Sequence, residues 1–146
     1  MNHDSYPDDY LRDIFRTVKT IAVVGASTDP SRASNYVMAF LQRQGYRCIP
    51  VNPTAAGETI NGETVRASLR DVPEKIDMVD IFRRSEQAGA VADEAVELGI
   101  PVIWMQMGIR NNEAARRAEA AGLTVVMDRC PKVEIPRLGI VGPSRS

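Results

Sequence analysis

Short runs of apolar residues alternate along the chain with longer segments in which apolar side chains recur every three or four positions. The short runs lack polar alternation, which is typical of strands buried on both faces of a parallel sheet. The longer segments are typical of helices that pack one face against such a sheet. This order of strand and helix predicts a three-layer α/β fold with a doubly wound parallel sheet of five main strands.

The apolar runs place the elements in order along the chain. The predicted strands are Thr20–Gly25, Tyr46–Val51, Ile76–Phe82, Pro101–Met105 and Leu123–Met127. Helical spacing predicts helices over about residues 8–18, 35–44, 86–98 and 111–121. Ser34 is a candidate N-cap of the second helix, and Gly45 is the candidate residue just past its end. Residues 54–64 are predicted to form a loop with one short edge strand.

No change of composition divides the sequence, so a single domain is expected over residues 1–146. Residues 1–7 and 140–146 are expected to form flexible tails. The segment from Asp128 onwards carries Pro131, Pro136 and Pro143 and is therefore predicted to run over the surface.

The expected strand order puts the first strand in the centre, with the second strand on one side and the strand that ends at Phe82 on the other. In a sheet of this kind, the point where the winding reverses opens a crevice at the carboxyl ends of the strands. Four polar or small segments follow strands and would face that crevice together. They are Gly25-Ala26-Ser27, Asn52-Pro53, Phe82-Arg83 and Gln106–Gly108.

The segment after the first strand has the composition of a phosphate-binding loop. Small residues let a ligand approach the main chain, and the N–H groups of the following helix point at the same place. Further donors are the hydroxyls of Ser27, Thr28 and Ser34 and the guanidinium groups of Arg32 and Arg83. The alternative is that Gly25 and Ala26 only make a tight turn from strand to helix.

A nicotinamide dinucleotide is the first alternative ligand. The loop lacks the second and third glycines of the G-x-G-x-x-G pattern. The second strand ends in Val51-Asn52-Pro53, without the acidic residue that accepts a ribose hydroxyl in dinucleotide-binding proteins. A phosphate-rich nucleotide therefore fits the sequence better.

The motifs as a set resemble the small CoA-binding domain proteins. The matching segments are Val24–Ser27, Val51–Pro53, Val79–Arg83, Trp104–Gly108 and Met127–Lys132. Those proteins are similar to the CoA-binding half of the succinyl-CoA synthetase α subunit, and the resemblance extends from about Phe15 to Gly139. It implies a Rossmann-like domain that binds coenzyme A or an acyl-CoA.

The resemblance also implies a role for each part of the crevice. Gly25, Ala26, Ser27 and Arg32 would hold the pyrophosphate. Val51, Asn52 and Pro53 would line the nucleotide together with Phe82 and Arg83, and Gln106 and Gly108 would face the pantetheine. The synthetase works through a phosphorylated histidine in a second domain. The only histidine here is His3, so no phosphohistidine chemistry is expected.

Composition and charge exclude several classes of protein. A formal net charge of −1 argues against a general binder of nucleic acid or membrane surfaces. No apolar run approaches the roughly 20 residues that a membrane span requires. The chain contains two cysteines, Cys48 and Cys130, in no metal-binding spacing, and its first residues lack the pattern of a secretion signal. A cytoplasmic protein without a metal is expected.

The sequence shows no catalytic residues. Cys130 has basic neighbours but no histidine that could activate it, so it is interpreted as a structural thiol or one next to the ligand. We expect a protein that carries, sequesters or senses CoA without chemistry of its own. Two alternatives stay open: a nicotinamide-dependent oxidoreductase, and an interaction module whose affinity for a protein partner depends on CoA. Residues 138–143 could contact that partner or a second copy of the chain.

Overall fold

Five parallel strands form the central sheet in the computed structural model, which describes residues 1–143. In chain order, the strands are β1 (Thr20–Val24), β2 (Arg47–Val51), β3 (Thr59–Ile60), β4 (Glu63–Thr64), β5 (Met78–Ile81), β6 (Val102–Met105) and β7 (Thr124–Val126). The helices are α1 (Asp8–Thr17), α2 (Ala33–Arg43), α3 (Ser85–Leu98), α4 (Asn112–Ala120) and α5 (Pro131–Arg137). The short strands β3 and β4 pair with each other in a separate antiparallel hairpin.

The order of strands in the main sheet is β2-β1-β5-β6-β7. This confirms the predicted doubly wound sheet, because β1 is central and lies between β2 and β5. Val24 at the end of β1 is opposite Val51 of β2 and Ile81 of β5. Three strands therefore end at the same level, and the loops that follow them meet at one edge of the sheet.

Each face of the sheet is covered by helices. Alternate residues of β1 point to opposite sides: Ile21 and Val23 pack with residues of α1, α2 and α5, while Ala22 and Val24 pack with residues of α3 and α4. This is the reason that the strands read as unbroken apolar runs in the sequence. Trp104 of β6 is fully buried, as expected for a packing residue, and its ring centroid lies 5.1 Å from that of Phe15.

The start of α2 differs from the prediction. Arg32, with an extended backbone, occupies the N-cap position, whereas Ser34 lies inside the first turn and is buried. The expectation that Ser34 caps the helix was wrong. The reason is a turn just before the helix, in which the Arg32 N–H donates to the Asp29 carbonyl at 3.0 Å, so that the helix begins directly after it.

The segment after β7 also differs from the prediction. It does not simply run over the surface, because residues 131–137 form the helix α5, which buries Pro131 and Ile135. A proline in the first turn of a helix needs no N–H partner and favours the start of the helix. The prolines here were interpreted as signs of irregular chain, although Pro131 starts a helix.

The amino-terminal segment is held against the domain, unlike the flexible tail expected for residues 1–7. His3 is only 7% exposed; its Nδ1 lies 2.7 Å from the Tyr6 hydroxyl and its Nε2 lies 2.9 Å from a carboxylate oxygen of Glu119. The Tyr6 hydroxyl also accepts the Met127 N–H at 2.8 Å. At the other end, Ile140 packs against the core, and residues 144–146 of the predicted tail lie outside the described residues.

Within residues 1–143, every helix is too short or too polar to cross a membrane.

Candidate functional site

A pocket of about 580 Å³ opens at the edge of the sheet where β1, β2 and β5 end. Most of the residues that the sequence analysis selected contribute to its wall. They are Gly25, Ala26, Ser27, Thr28, Arg32, Ser34, Asn52, Phe82 and Arg83. The loop between β1 and α2 supplies the largest part of this wall, and the first turn of α2 and the segments after β2 and β5 supply the rest.

The main chain of the loop after β1 divides into two parts. The N–H groups of Gly25 and Ala26 both donate to the carbonyl of Val51, at 2.9 and 3.3 Å. These two N–H groups therefore form hydrogen bonds within the protein. The N–H groups of Ser27 and Thr28, which follow directly, have no acceptor among residues 1–143. Free donors begin two residues later than the glycine that marks the loop in the sequence.

The first turn of α2 adds two more donors. The N–H groups of Ala33 and Ser34 have no acceptor in the described part of the chain, as is usual at a helix start, and both residues line the pocket. The helix dipole places a partial positive charge at this end. Together with Ser27 and Thr28, four main-chain donors line the same space.

Two arginines border the pocket. Arg32 is exposed and Arg83 is half-buried, and neither makes an ion pair within residues 1–143. Arg84, by contrast, lies 3.4 Å from Glu86 and does not line the pocket. Of the two neighbouring arginines, only Arg83 therefore borders the pocket. Two guanidinium groups are therefore free to bind an anion.

Asp29 lies close to this basic group, but its carboxylate is occupied. Its Oδ1 accepts the N–H of Ser31 at 2.9 Å and the Ser31 hydroxyl at 2.8 Å. These hydrogen bonds, from the main chain first and then the side chain, lower the pKa of Asp29. The carboxylate stabilises the turn before α2 and is not part of the pocket wall.

Two asparagine side chains donate hydrogen bonds to carbonyl groups of the loop between β1 and α2. Nδ2 of Asn52 donates to the Ala26 carbonyl at 2.8 Å, and its Oδ1 accepts the Thr54 N–H at 3.0 Å. Nδ2 of Asn35 donates to the Ser27 carbonyl at 2.8 Å. Asn35 was not selected from the sequence, because an asparagine inside a helical pattern carries no signal of a loop contact.

The pocket wall contains four more residues that the sequence analysis did not select. They are Ala33, Thr54, Ala55 and Glu58. Glu58 matters most, because it is the acidic residue of the wall and makes no ion pair in the described chain. It follows β2 by seven positions, beyond the place where a dinucleotide-binding motif has its acidic residue. Folding of the segment after β2 brings it back to the pocket.

Four predicted site residues lie outside this pocket. Val51 is buried and contributes its carbonyl to the loop, and Pro53 is exposed at the start of a short 3₁₀ turn. Gln106 is buried, and its Oε1 has no hydrogen-bond partner in the described chain. The N–H of Gly108 donates to Asp128 at 2.7 Å. The two residues expected at the pantetheine end therefore lie past β6 and do not line this pocket.

Cys130 and Asp80, two further titratable residues, do not line this pocket. Cys130 is buried before α5, and no group of three His, Cys, Asp or Glu residues within 1–143 is arranged to hold a metal ion. Asp80, in the middle of β5, is fully buried, and neither of its carboxylate oxygens has a partner in the described chain. Burial raises the pKa of Asp80 well above its usual value.

Known proteins resemble this chain over most of its length. YneT from Bacillus subtilis (strain 168) is 44% identical over 123 residues, which are 84% of this chain and 90% of YneT. The solved structure of cell-free ID.343 from Thermus thermophilus superposes with a TM-score of 0.86 at 43% identity, covering 91% of this chain and 99% of that one.

A more distant relative is a subunit of an enzyme. The α subunit of ADP-forming acetate–CoA ligase I from Pyrococcus furiosus is 29% identical over 89 residues, which are 58% of this chain but only 19% of that subunit. The similarity therefore concerns one part of a much larger protein. Residues 19–136 match the family described as the CoA binding domain. With its doubly wound sheet and the loop after β1, the chain belongs to the CoA binding domain family.

Proposed function

We propose that the protein binds coenzyme A or an acyl-CoA, with the pyrophosphate against the loop between β1 and α2. The observation that carries the proposal is the group of four main-chain N–H donors, from Ser27, Thr28, Ala33 and Ser34, that line one pocket without acceptors in the described chain. Helix starts and successive free N–H groups are common phosphate sites. Membership of the family supports CoA as the nucleotide.

The arginines supply the charge that the pyrophosphate needs. Arg32 and Arg83 stand at the same pocket without ion-pair partners among residues 1–143, so binding a diphosphate would not require breaking an existing contact. Hydrogen bonds between guanidinium and phosphate groups are short and strong, and two of them can form in parallel.

The protein acts as a carrier, a sequestering protein or a sensor in this proposal. The pocket wall within residues 1–143 has no histidine or cysteine that could serve as base or nucleophile. CoA bound at the same site could also set the affinity of this protein for a partner protein. Comparing pull-downs with and without added CoA would distinguish such a switch from a simple carrier.

Isothermal titration calorimetry tests the binding proposal directly. CoA and acetyl-CoA are expected to bind with dissociation constants of about a micromolar or lower, as for a ligand that makes several charge-assisted contacts. NAD and NADP, titrated in the same buffer, are expected to bind more weakly. Absence of binding heat with both CoA and acetyl-CoA, checked at two temperatures, would contradict the proposal.

Glu58 favours one alternative ligand class. A carboxylate on the wall next to the end of β2 can accept a hydroxyl of an unmodified ribose, as in NAD-binding proteins, and it would repel the ribose phosphate of CoA. Titrating dephospho-CoA and CoA in parallel distinguishes a ligand with an unmodified ribose from a ligand with a ribose phosphate. Stronger binding of dephospho-CoA and NAD than of CoA, lost in Glu58→Gln, would favour a dinucleotide.

A further inference from the structure

Two neighbouring carbonyl groups in the loop after β1 are held by side-chain amides. Asn52 donates to the carbonyl of Ala26 and Asn35 donates to the carbonyl of Ser27, both at 2.8 Å. The two asparagines belong to different elements, since Asn52 follows β2 and Asn35 lies in the first turn of α2. The loop is therefore attached on one side to the end of a strand and on the other to a helix.

The attached carbonyls determine where the neighbouring N–H groups point. In a planar trans peptide, the C=O of one residue and the N–H of the next point in opposite directions. The held carbonyl of Ala26 therefore sets the direction of the Ser27 N–H, and the held carbonyl of Ser27 sets that of the Thr28 N–H. These are the two loop N–H groups without an acceptor in the described chain, and both residues line the pocket.

We propose that Asn35 is a positioning residue that aims the Thr28 N–H at a phosphate group of the ligand, while Asn52 does the same for the Ser27 N–H. This inference rests on the proposed function. Asn35 is 7% exposed and does not itself line the pocket. It acts on the ligand only through the peptide group that it holds.

The side-chain amides of Asn35 and Asn52 restrict the orientation of the peptide groups in this short loop. Without a donor behind it, the peptide group between Ser27 and Thr28 can rotate and turn its carbonyl oxygen towards the pocket. A carbonyl oxygen repels phosphate, whereas an N–H binds it. The amide of Asn35 excludes that orientation, because rotation would leave the buried amide without its acceptor.

The chain offers a matched control for Asn35. Nδ2 of Asn61 donates to the main-chain carbonyl of Asn35 at 3.1 Å, so Asn61 stabilises the same region, and it makes no hydrogen bond to residues 26–28 in the described chain. Asn35→Asp and Asn61→Asp add the same charge and remove the same kind of donor. Asn35→Ala, which removes the whole amide group and adds no charge, is the second test variant.

Calorimetry with CoA and with pantetheine, which lacks the pyrophosphate, provides the readout. We expect Asn35→Ala to weaken CoA binding about tenfold, the effect of one hydrogen bond, and Asn35→Asp to weaken it further. Pantetheine binding should not change, and Asn61→Asp should bind CoA like the parent. Equal CoA binding by the parent and both Asn35 variants would overturn the inference while leaving the proposed function intact.

Amide spectra of the parent make the test independent of how well the variants fold. Inorganic pyrophosphate should shift the ¹H–¹⁵N signals of Ser27 and Thr28 more than those of Gly25 and Ala26, whose N–H groups are bonded to Val51. A larger response of Gly25 and Ala26 would overturn the inference. A parent that binds neither CoA nor pyrophosphate would overturn the proposed function as well.

Discussion

The carbonyl oxygen of Phe82 lies 3.0 Å from the point that a Cβ atom at Gly25 would occupy. Gly25 also has a φ of +88°, in the region that glycine adopts at little cost. The segment after β5 therefore packs directly on the main chain of the loop after β1. This close approach explains the glycine at that place, in addition to any space it leaves for a ligand.

Gly25→Ala is expected to lower the free energy of unfolding by about 3 kcal/mol, since it combines an unfavourable φ with a close contact to main chain. Gly57 is the matched control, because its φ is +87° and a Cβ there meets nothing within 4 Å. Urea denaturation of Gly25→Ala and Gly57→Ala distinguishes the effect of the unfavourable φ from the effect of the contact with Phe82. Equal losses in the two variants would show that the contact with Phe82 contributes nothing.

Arg32→Glu should weaken CoA binding by about 2 kcal/mol, because it removes a charge-assisted hydrogen bond and adds repulsion. The loss should become smaller as salt is added, since Arg32 is exposed. Arg43→Glu makes the same change of charge at the other end of α2 and should have little effect. Calorimetry at two ionic strengths measures both variants. Similar losses in both would indicate a general effect of charge.

Asp80→Asn is expected to stabilise the protein at neutral and alkaline pH. Burial raises the pKa of Asp80 in the folded state, so the folded state binds the proton more tightly than the unfolded state does. Its contribution is fully favourable below the unfolded value of about 3.9 and is lost as the pH rises towards the folded pKa. The neutral amide avoids this loss.

The gain from Asp80→Asn should be about 2 kcal/mol at about pH 8 and close to zero at about pH 4, in urea denaturation at both values. Asp9→Asn is the control, since the side chain of Asp9 is 92% exposed. A gain that does not depend on pH would contradict a raised pKa of Asp80 in the folded state.

His3→Ala should lower the free energy of unfolding by about 2 kcal/mol, because two partly buried hydrogen bonds, to Tyr6 and Glu119, are lost. Hydrogen exchange should become faster in residues 1–7 and at Met127, whose N–H bonds to the Tyr6 hydroxyl. Ser5→Ala, at an exposed position of the same segment, should leave both measurements unchanged. Unchanged exchange in His3→Ala would show that the segment is held by other contacts.

The fold could be predicted because its signals are local and repeated. The strands β1, β5 and β6 are buried on both faces, and apart from Thr20 at the start of β1 they contain only apolar side chains and one aspartate. Gly45, just past the end of α2, has a positive φ angle that matches its prediction as the residue past a helix end. Strand order then followed from the rules for parallel connections.

The site could be predicted where it follows a strand or lies at the start of the helix after it. Ser27, Asn52 and Phe82 lie close to strand ends, and the parallel sheet brings those ends together. Glu58 and Asn35 were missed because their positions depend on how a loop folds back and on which side of a helix turn faces the loop. Neither property leaves a periodic trace in the sequence.

The amino-terminal segment was missed for a related reason. His3 has a short polar neighbourhood that is typical of a disordered end, and its partner Glu119 is 116 residues away. Contacts over such distances have no local signal. The same holds for Tyr6, whose hydroxyl bonds to Met127, 121 residues later.

The contacts of His3 and Tyr6 also set an order of events during synthesis. A ribosome adds about 5 to 20 residues per second, so these two residues wait for seconds before Glu119 and Met127 have been added. Closing such a long stretch of chain is among the slower steps of folding. The segment that contains His3 and Tyr6 is synthesised early but is therefore one of the last to dock. Its docking requires that the final strand is already in place.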